Sequence, residues 1–137
     1  MTAFKNMQLH NKEIWINNDS LLMDIQSAFT GCYPFLKIEF LETDAAAKPL
    51  KSCKIDPHTC LKKLANLSLS CKMNINNNRT VSEILHDFEH TLGVIVQVSR
   101  KSGNVWSTIS VTDGWTLEAQ NAAGKFISSE ISGSVIN

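Results

Sequence analysis

The run His86-Asp87-Phe88-Glu89-His90 is an H-x-x-E-H pattern. On a helix it sets two imidazoles four residues apart on one side, with a glutamate able to activate a metal-bound water. A metal-dependent hydrolase at His86, Glu89 and His90 would also need a third ligand and an enclosing cleft. The downstream carboxylates, Asp113, Glu118 and Glu130, stand at no recognisable zinc spacing. Ile84, Phe88 and Leu92 mark the core stripe of the same helix, which turns both histidines toward solvent. The expectation is a solvated face and no metal.

Cys53, His58, Cys60 and Cys71 form a second set of potential ligands, but C-x6-C-x10-C lacks the tight C-x2-4-C knuckle of structural zinc sites. They read as reduced thiols. No P-loop, dinucleotide-binding or nucleophile-elbow pattern occurs, so the sequence implies no cofactor and no catalytic residue.

The third candidate is Arg100-Lys101-Ser102-Gly103-Asn104-Val105-Trp106, followed by Asp113-Gly114-Trp115-Thr116. Cations beside aromatics can grip single-stranded nucleic acid or an acidic peptide through phosphate or carboxylate contacts and stacking. The candidate binding residues are therefore Arg100, Lys101, Asn104, Trp106 and Trp115, with Arg79 added if the ligand is nucleic acid. The competing structural role covers Trp106 with a helix and uses Trp115, just before a Thr cap, to staple the last helix to the sheet. Two cations are few for a nucleic-acid footprint, and thirteen basic residues balance thirteen acidic ones, so no net field draws the chain to polyanions.

The elements that must position these residues follow from periodicity. Ile14 and Ile16 alternate with polar residues in a short strand, and the Asn17-Asn18-Asp19-Ser20 cluster is expected to cap a helix to about Gly31 with an apolar stripe of Leu22, Ile25, Phe29 and Cys32. Leu36, Ile38 and Phe40 alternate with Lys37 and Glu39 in a strand with one wet face. A short strand at Lys51 to Ile55 and a helix from Asp56-Pro57 to about Asn66 complete the unit. The pattern then repeats. Leu67, Leu69, Cys71, Met73 and Ile75 alternate as a strand, Thr80-Val81-Ser82-Glu83 is a capping box, and Gly93 stops the helix. Val94 to Arg100 and Val105 to Thr112 form a hairpin. With Ser102-Gly103 as its loop, Ser99 pairs with Trp106, Val98 with Ser107 and Val96 with Ile109. One face then carries Val94, Val96, Val98, Val105, Ile109 and Val111. A last helix from Thr116 to Ala123 stops at Gly124.

Residues 14 to 33 align with 73 to 92 at an offset of 59, with five identities in twenty positions. An offset of 57 places Asp56, Thr59 and Ala65 on Asp113, Thr116 and Ala122. The expected fold is α+β, a duplicated βαββα unit with copies at about 13–66 and 67–124 and a tail at 125–137, all within one domain, 1–137. Each strand-helix-strand is expected to cross over between parallel strands, giving a mixed sheet with helices packed on it; a ferredoxin-like sub-arrangement is the alternative. The 43% hydrophobic content suffices for one continuous core.

The start, MTAFKNMQLHNKEIW, has no basic region leading into an apolar one, and no apolar run approaches the ~18 residues of a membrane helix. Those features point to a cytoplasmic protein with reduced cysteines and no membrane partner.

The stretch from Val94 to Gly124 resembles the C-terminal signature of a family of small uncharacterised bacterial proteins, found chiefly in Bacteroidetes. In that family V-Q-V-x-R-K-S-G-N-x-W precedes T-D-x-W-T-L-E-x-Q-N, matching Val96 to Trp106 and Thr112 to Asn121 here. Gly114 stands where an acidic residue is frequent in the family. The resemblance carries no activity and no catalytic residue with it. Together these features suggest a non-enzymatic cytoplasmic binding or interaction domain whose partner is another protein, or a second copy joined through an edge strand. A nucleic-acid-binding accessory protein and a metal-dependent hydrolase are the alternatives.

Overall fold

The computed structural model describes residues 12–44, 51–65, 67 and 70–136. Strand β1 (Glu13–Ile16) buries Ile14 and Ile16 and leaves Trp15 exposed, as its alternation requires. The polar cluster after it closes a turn rather than capping a helix. The Ser20 N–H donates to the Asn17 carbonyl at 3.1 Å, and the Asp19 N–H to Asn17 Oδ1 at 2.9 Å. Helix α1 (Leu22–Cys32) starts from Leu21, which supplies no side-chain cap. Its first free amides find backbone partners elsewhere: Leu22 N–H donates to the Thr59 carbonyl (3.0 Å) and Met23 N–H to the Pro57 carbonyl (2.8 Å).

That arrangement corrects the expected helix over 57–66. Carbonyls that would begin its ladder already serve α1, and among the described residues of this stretch only one 3-10 turn forms, at Leu61–Lys63. Between these segments lie β2 (Leu36–Asp44) and β3 (Lys51–Lys54). Strand β4 (Cys71–Asn74) opens the second half and is shorter than the alternation from Leu67 suggests; Asn66, Ser68 and Leu69 lie outside the described residues.

Helix α2 (Val81–Asp87) has the expected capping box, with Glu83 N–H on Thr80 Oγ1 (3.1 Å) and Thr80 N–H on Glu83 Oε1 (2.9 Å). It continues into one π turn, Phe88–Leu92, and Gly93 ends it at φ 70°. Strands β5 (Ile95–Ser102) and β6 (Val105–Thr108) form the expected hairpin, but its loop is Gly103-Asn104. Gly103 takes φ 68° at the first loop position, where an L side chain is strained. Ser99 therefore pairs with Thr108 and Lys101 with Trp106, a shift of two residues that preserves the faces. Val94, Val96, Val98 and Ile109 are buried, whereas Val105 (62%) and Val111 (95%) are exposed, because β6 is an edge strand that ends at Thr108.

Helix α3 (Leu117–Ile136) runs straight through Gly124 instead of stopping there. A Cβ at Gly124 would stand 2.8 Å from Phe35 Cβ and 3.1 Å from both Arg100 Cγ and the Lys101 carbonyl oxygen. That glycine lets the helix approach β5 closely; it does not terminate it.

The fold is α+β, with two sheets and three packed helices. The pairing corrects the expected mixed sheet and the ferredoxin-like alternative. β1 pairs with β4 as a two-stranded ribbon, and the other four strands form a sheet in the order β3-β2-β5-β6. Every pairing among the described strands is antiparallel. The strand before α1 and the strand before α2 lie in the ribbon and the strands after them in the larger sheet, so neither crossover returns to its own sheet. Leu36, Ile38, Phe40, Val96 and Val98 point to one face of that sheet and are buried with Ile25 and Phe29 of α1, Ile84 of α2 and Leu117 of α3. No helix among the described residues is long and apolar enough to cross a membrane.

Four backbone hydrogen bonds around the start of α1 have counterparts around the start of α2. Leu22 and Met23 donate to Thr59 and Pro57; Val81 and Ser82 donate to Trp115 and Asp113. In the reverse direction Leu61 and Lys62 donate to Ser20 and Asn18, as Leu117 and Glu118 donate to Arg79 and Asn77. The helix sides of these pairs differ by 59 residues and the other sides by 56.

Candidate binding surface

The sheet alternation separates the candidate residues that sequence adjacency grouped. Arg100 lies on the core face, where its Nη1 donates to Gln120 Oε1 at 2.9 Å and its guanidinium stands 5.9 Å from the Trp115 ring centroid. Gln120 is fully buried, and its amide donates in turn to the Thr112 carbonyl (2.7 Å) and hydroxyl (2.9 Å). Asn121 Oδ1 accepts from the Phe35 N–H at 2.8 Å, and the Thr116 hydroxyl accepts from the Ala119 N–H at 3.1 Å. Much of the T-D-x-W-T-L-E-x-Q-N stretch is thus occupied in fastening α3 to the hairpin and to the turn before β2. Arg79 is also engaged, with Asp87 at 2.8 Å.

Lys101 and Trp106 face the other way, paired across β5 and β6. Asn104 is exposed in the loop between them. Lys37, on β2, lies directly beside Ser99, and its Nζ stands 4.8 Å from the Trp106 ring centroid. That contact spans the intervening strand over Ser99, which is only 3% exposed. The indole therefore reaches inward across the sheet from its edge strand.

Sequence reading missed the residues that complete this face. Glu39 takes Lys54 at 3.1 Å, Lys37 at 3.9 Å and the Gln97 amide at 3.3 Å. Lys54, Lys37 and Lys101 thus share a face with one carboxylate. The alternation of Leu36 to Phe40 already assigned Lys37 and Glu39 to a wet face; what it lacked was the neighbour. Beside them, α1 and β2 enclose an open groove of about 530 Å³ lined by Gln26, Thr30, Gly31, Lys37 and Glu39. Within it Gln26 donates to the Ile38 carbonyl (2.8 Å) and Thr30 to the Leu36 carbonyl (3.1 Å), which blunts that part of the strand edge.

His86 and His90 are exposed and stacked on each other, with centroids 3.9 Å apart and planes within 24°. Imidazole lone pairs lie in the ring plane, so near-parallel stacked rings do not converge on one ion. Among the described residues no three His, Cys, Asp or Glu side chains gather closely enough to hold a metal. Cys32, Cys60 and Cys71 are half-buried and Cys53 exposed, all as free thiols; burial raises the pKa of Cys71. The Tyr33 phenol is driven well above its ordinary value by burial, reinforced by Cys32 and Glu118. It donates to the Ile75 carbonyl at 2.5 Å, a structural role.

The chain matches no family model, no curated protein and no solved structure.

Proposed function

We propose that this protein is a non-enzymatic binding domain and that it recognises an anionic macromolecule with the outer face of the four-stranded sheet. The supporting observation is Trp106 lying across β5 with Lys37 upon it, on the face opposite the helix-packed core. Lys54 and Lys101 extend the basic character in both directions, against Glu39. Retention on immobilised heparin, oligo(dT) and poly-Glu at low salt tests it. The wild-type chain should be held by at least one of these, and the Lys37→Gln/Lys54→Gln/Lys101→Gln variant released at lower salt. No retention, or equal retention of the variant, would remove the proposal.

We further infer that the fold is a duplicated βαββα unit; the matched hydrogen bonds around α1 and α2 support this reading, with the second offset at 56 rather than 57. The kinship of Val94 to Gly124 with the small bacterial family is proposed on the motif already described, as is a cytoplasmic home on the sequence features given above. The fastening of Arg100, Thr112, Gln120 and Asn121 would give that motif a structural purpose.

A further inference from the structure

The outer sheet face offers two kinds of contact at once: Lys54 on β3, Lys37 on β2 and Lys101 on β5 supply charge, and Trp106 on β6 supplies an aromatic plane. Four strands span about 14 Å at the usual inter-strand spacing. That width suits roughly two or three nucleotides laid across a sheet. An acidic peptide could meet the lysines, but it would bring no necessary partner for the indole. Duplex nucleic acid carries charge but keeps its base faces stacked inside. A flexible polyanion with exposed planar groups uses both features.

Resting on the binding-domain reading above, we propose that the ligand of this face is single-stranded nucleic acid, with one base stacked on Trp106 and its phosphates met by Lys37, Lys54 and Lys101. In the free protein Lys37 holds the indole by a cation–π contact at 4.8 Å. On binding, a base takes that place and the freed ammonium turns to the backbone. Lys54, whose side chain is 61% exposed, can exchange Glu39 for a phosphate at little desolvation cost. Gln97 and Thr108 add hydrogen-bonding groups to the same face, without a fixed edge pattern that would demand one sequence.

Trp15 provides an internal control. It is 67% exposed with Lys72 at 5.0 Å from its ring, so it resembles Trp106 in composition, but it sits on the two-stranded ribbon away from this face.

Fluorescence anisotropy with an end-labelled dT oligonucleotide of about ten nucleotides tests the proposal, alongside an abasic phosphodiester of equal length and a poly-Glu peptide. The dT oligomer should bind best, with a log–log salt slope of about −2 for three lysine contacts. Trp106→Ala should weaken binding at least about five-fold, Trp106→Phe should recover part of it, and Trp15→Ala should leave it unchanged. Should Trp106→Ala unfold by circular dichroism, Trp106→Leu takes its place in the comparison with Trp106→Phe. Equal affinity for the abasic and dT chains, or tighter binding of poly-Glu, would overturn the nucleic-acid assignment while leaving a basic binding face. If none of the three probes binds, both proposals fall.

Discussion

The two halves of the chain, residues 13–65 and 71–130, hold the start of their first helices in the same way and then spend the remaining residues differently. In each, a returning segment lends two carbonyls to the helix amides and donates two of its own amides to carbonyls just before the helix. The first half needs only one 3-10 turn, Leu61–Lys63, to do this, whereas the second continues into the 20-residue α3. The clamp is a backbone device and tolerates different side chains. The additions, namely a tight hairpin, a long helix and the Arg100–Gln120–Thr112 network, lie in the second half.

The most forceful way to break the comparison is to empty the clamp. Leu61 and Leu117 are each fully buried at corresponding places in it. Leu117→Ala and Leu61→Ala should each cost ~2–5 kcal/mol in urea unfolding. If Leu61→Ala costs under about 1 kcal/mol, the short turn is decoration and the halves are not equivalent.

Two helical glycines make a sharper contrast. Gly124→Ala introduces a Cβ against Phe35, Arg100 and the Lys101 backbone, so a strain of ~1–3 kcal/mol should outweigh the helix-propensity gain. At Gly31 in α1 nothing lies within 4 Å of the added carbon. Gly31→Ala should therefore stabilise by ~0.5–1 kcal/mol. Thermal midpoints moving the same way for both variants would show that α3 does not rest on β5 as described.

The buried amide of Gln120 is the next test. Gln120→Ala leaves the Arg100 guanidinium and the Thr112 oxygens without this partner, at a cost of ~1–3 kcal/mol. The first half has no counterpart, since the offset of 56 places Gln120 on Leu64, an apolar side chain packed against the core. Hydrogen exchange should show the loss concentrated in the hairpin and α3 rather than in α1.

What the sequence disclosed follows the same division between local and distant causes. The capping box at Thr80 and the stop at Gly93 were legible because each is set by a few adjacent residues. The apolar stripes of α1 and α2 were legible because a helix displays its period. The strand partners were not: alternation reports which face is buried, and Ile14 looks the same whether its neighbour is β2 or β4. Pro57 suggested a helix until the amides of α1 claimed its carbonyl, and Gly124 suggested a stop because its reason lies on β5. The placement of the binding candidates was hidden in the same way. Arg100 and Lys101 are neighbours in sequence but point to opposite faces, while Lys37 meets Trp106 only through the β2–β5 pairing.

The smallest expected effect tests how the two helices begin. α2 opens with a reciprocal side-chain cap and α1 with none. Thr80→Ala should cost ~1 kcal/mol by leaving first-turn amides to water. The same variant has a signature in pH. The Glu83 carboxyl lies below its ordinary value, chiefly because it accepts from the Thr80 backbone N–H and then from the Thr80 hydroxyl. A depressed folded-state value favours the folded form above the unfolded glutamate pKa, and this contribution is lost as pH falls through the lower folded value. Removing the hydroxyl should raise the Glu83 pKa while the backbone bond keeps it below normal. Asp56, lowered first by the His58 N–H and then by its imidazole, should not move. Carboxyl titrations followed by NMR distinguish these sites, and a shift at Asp56 comparable with that at Glu83 would mean that the substitution had disturbed the fold globally rather than one cap.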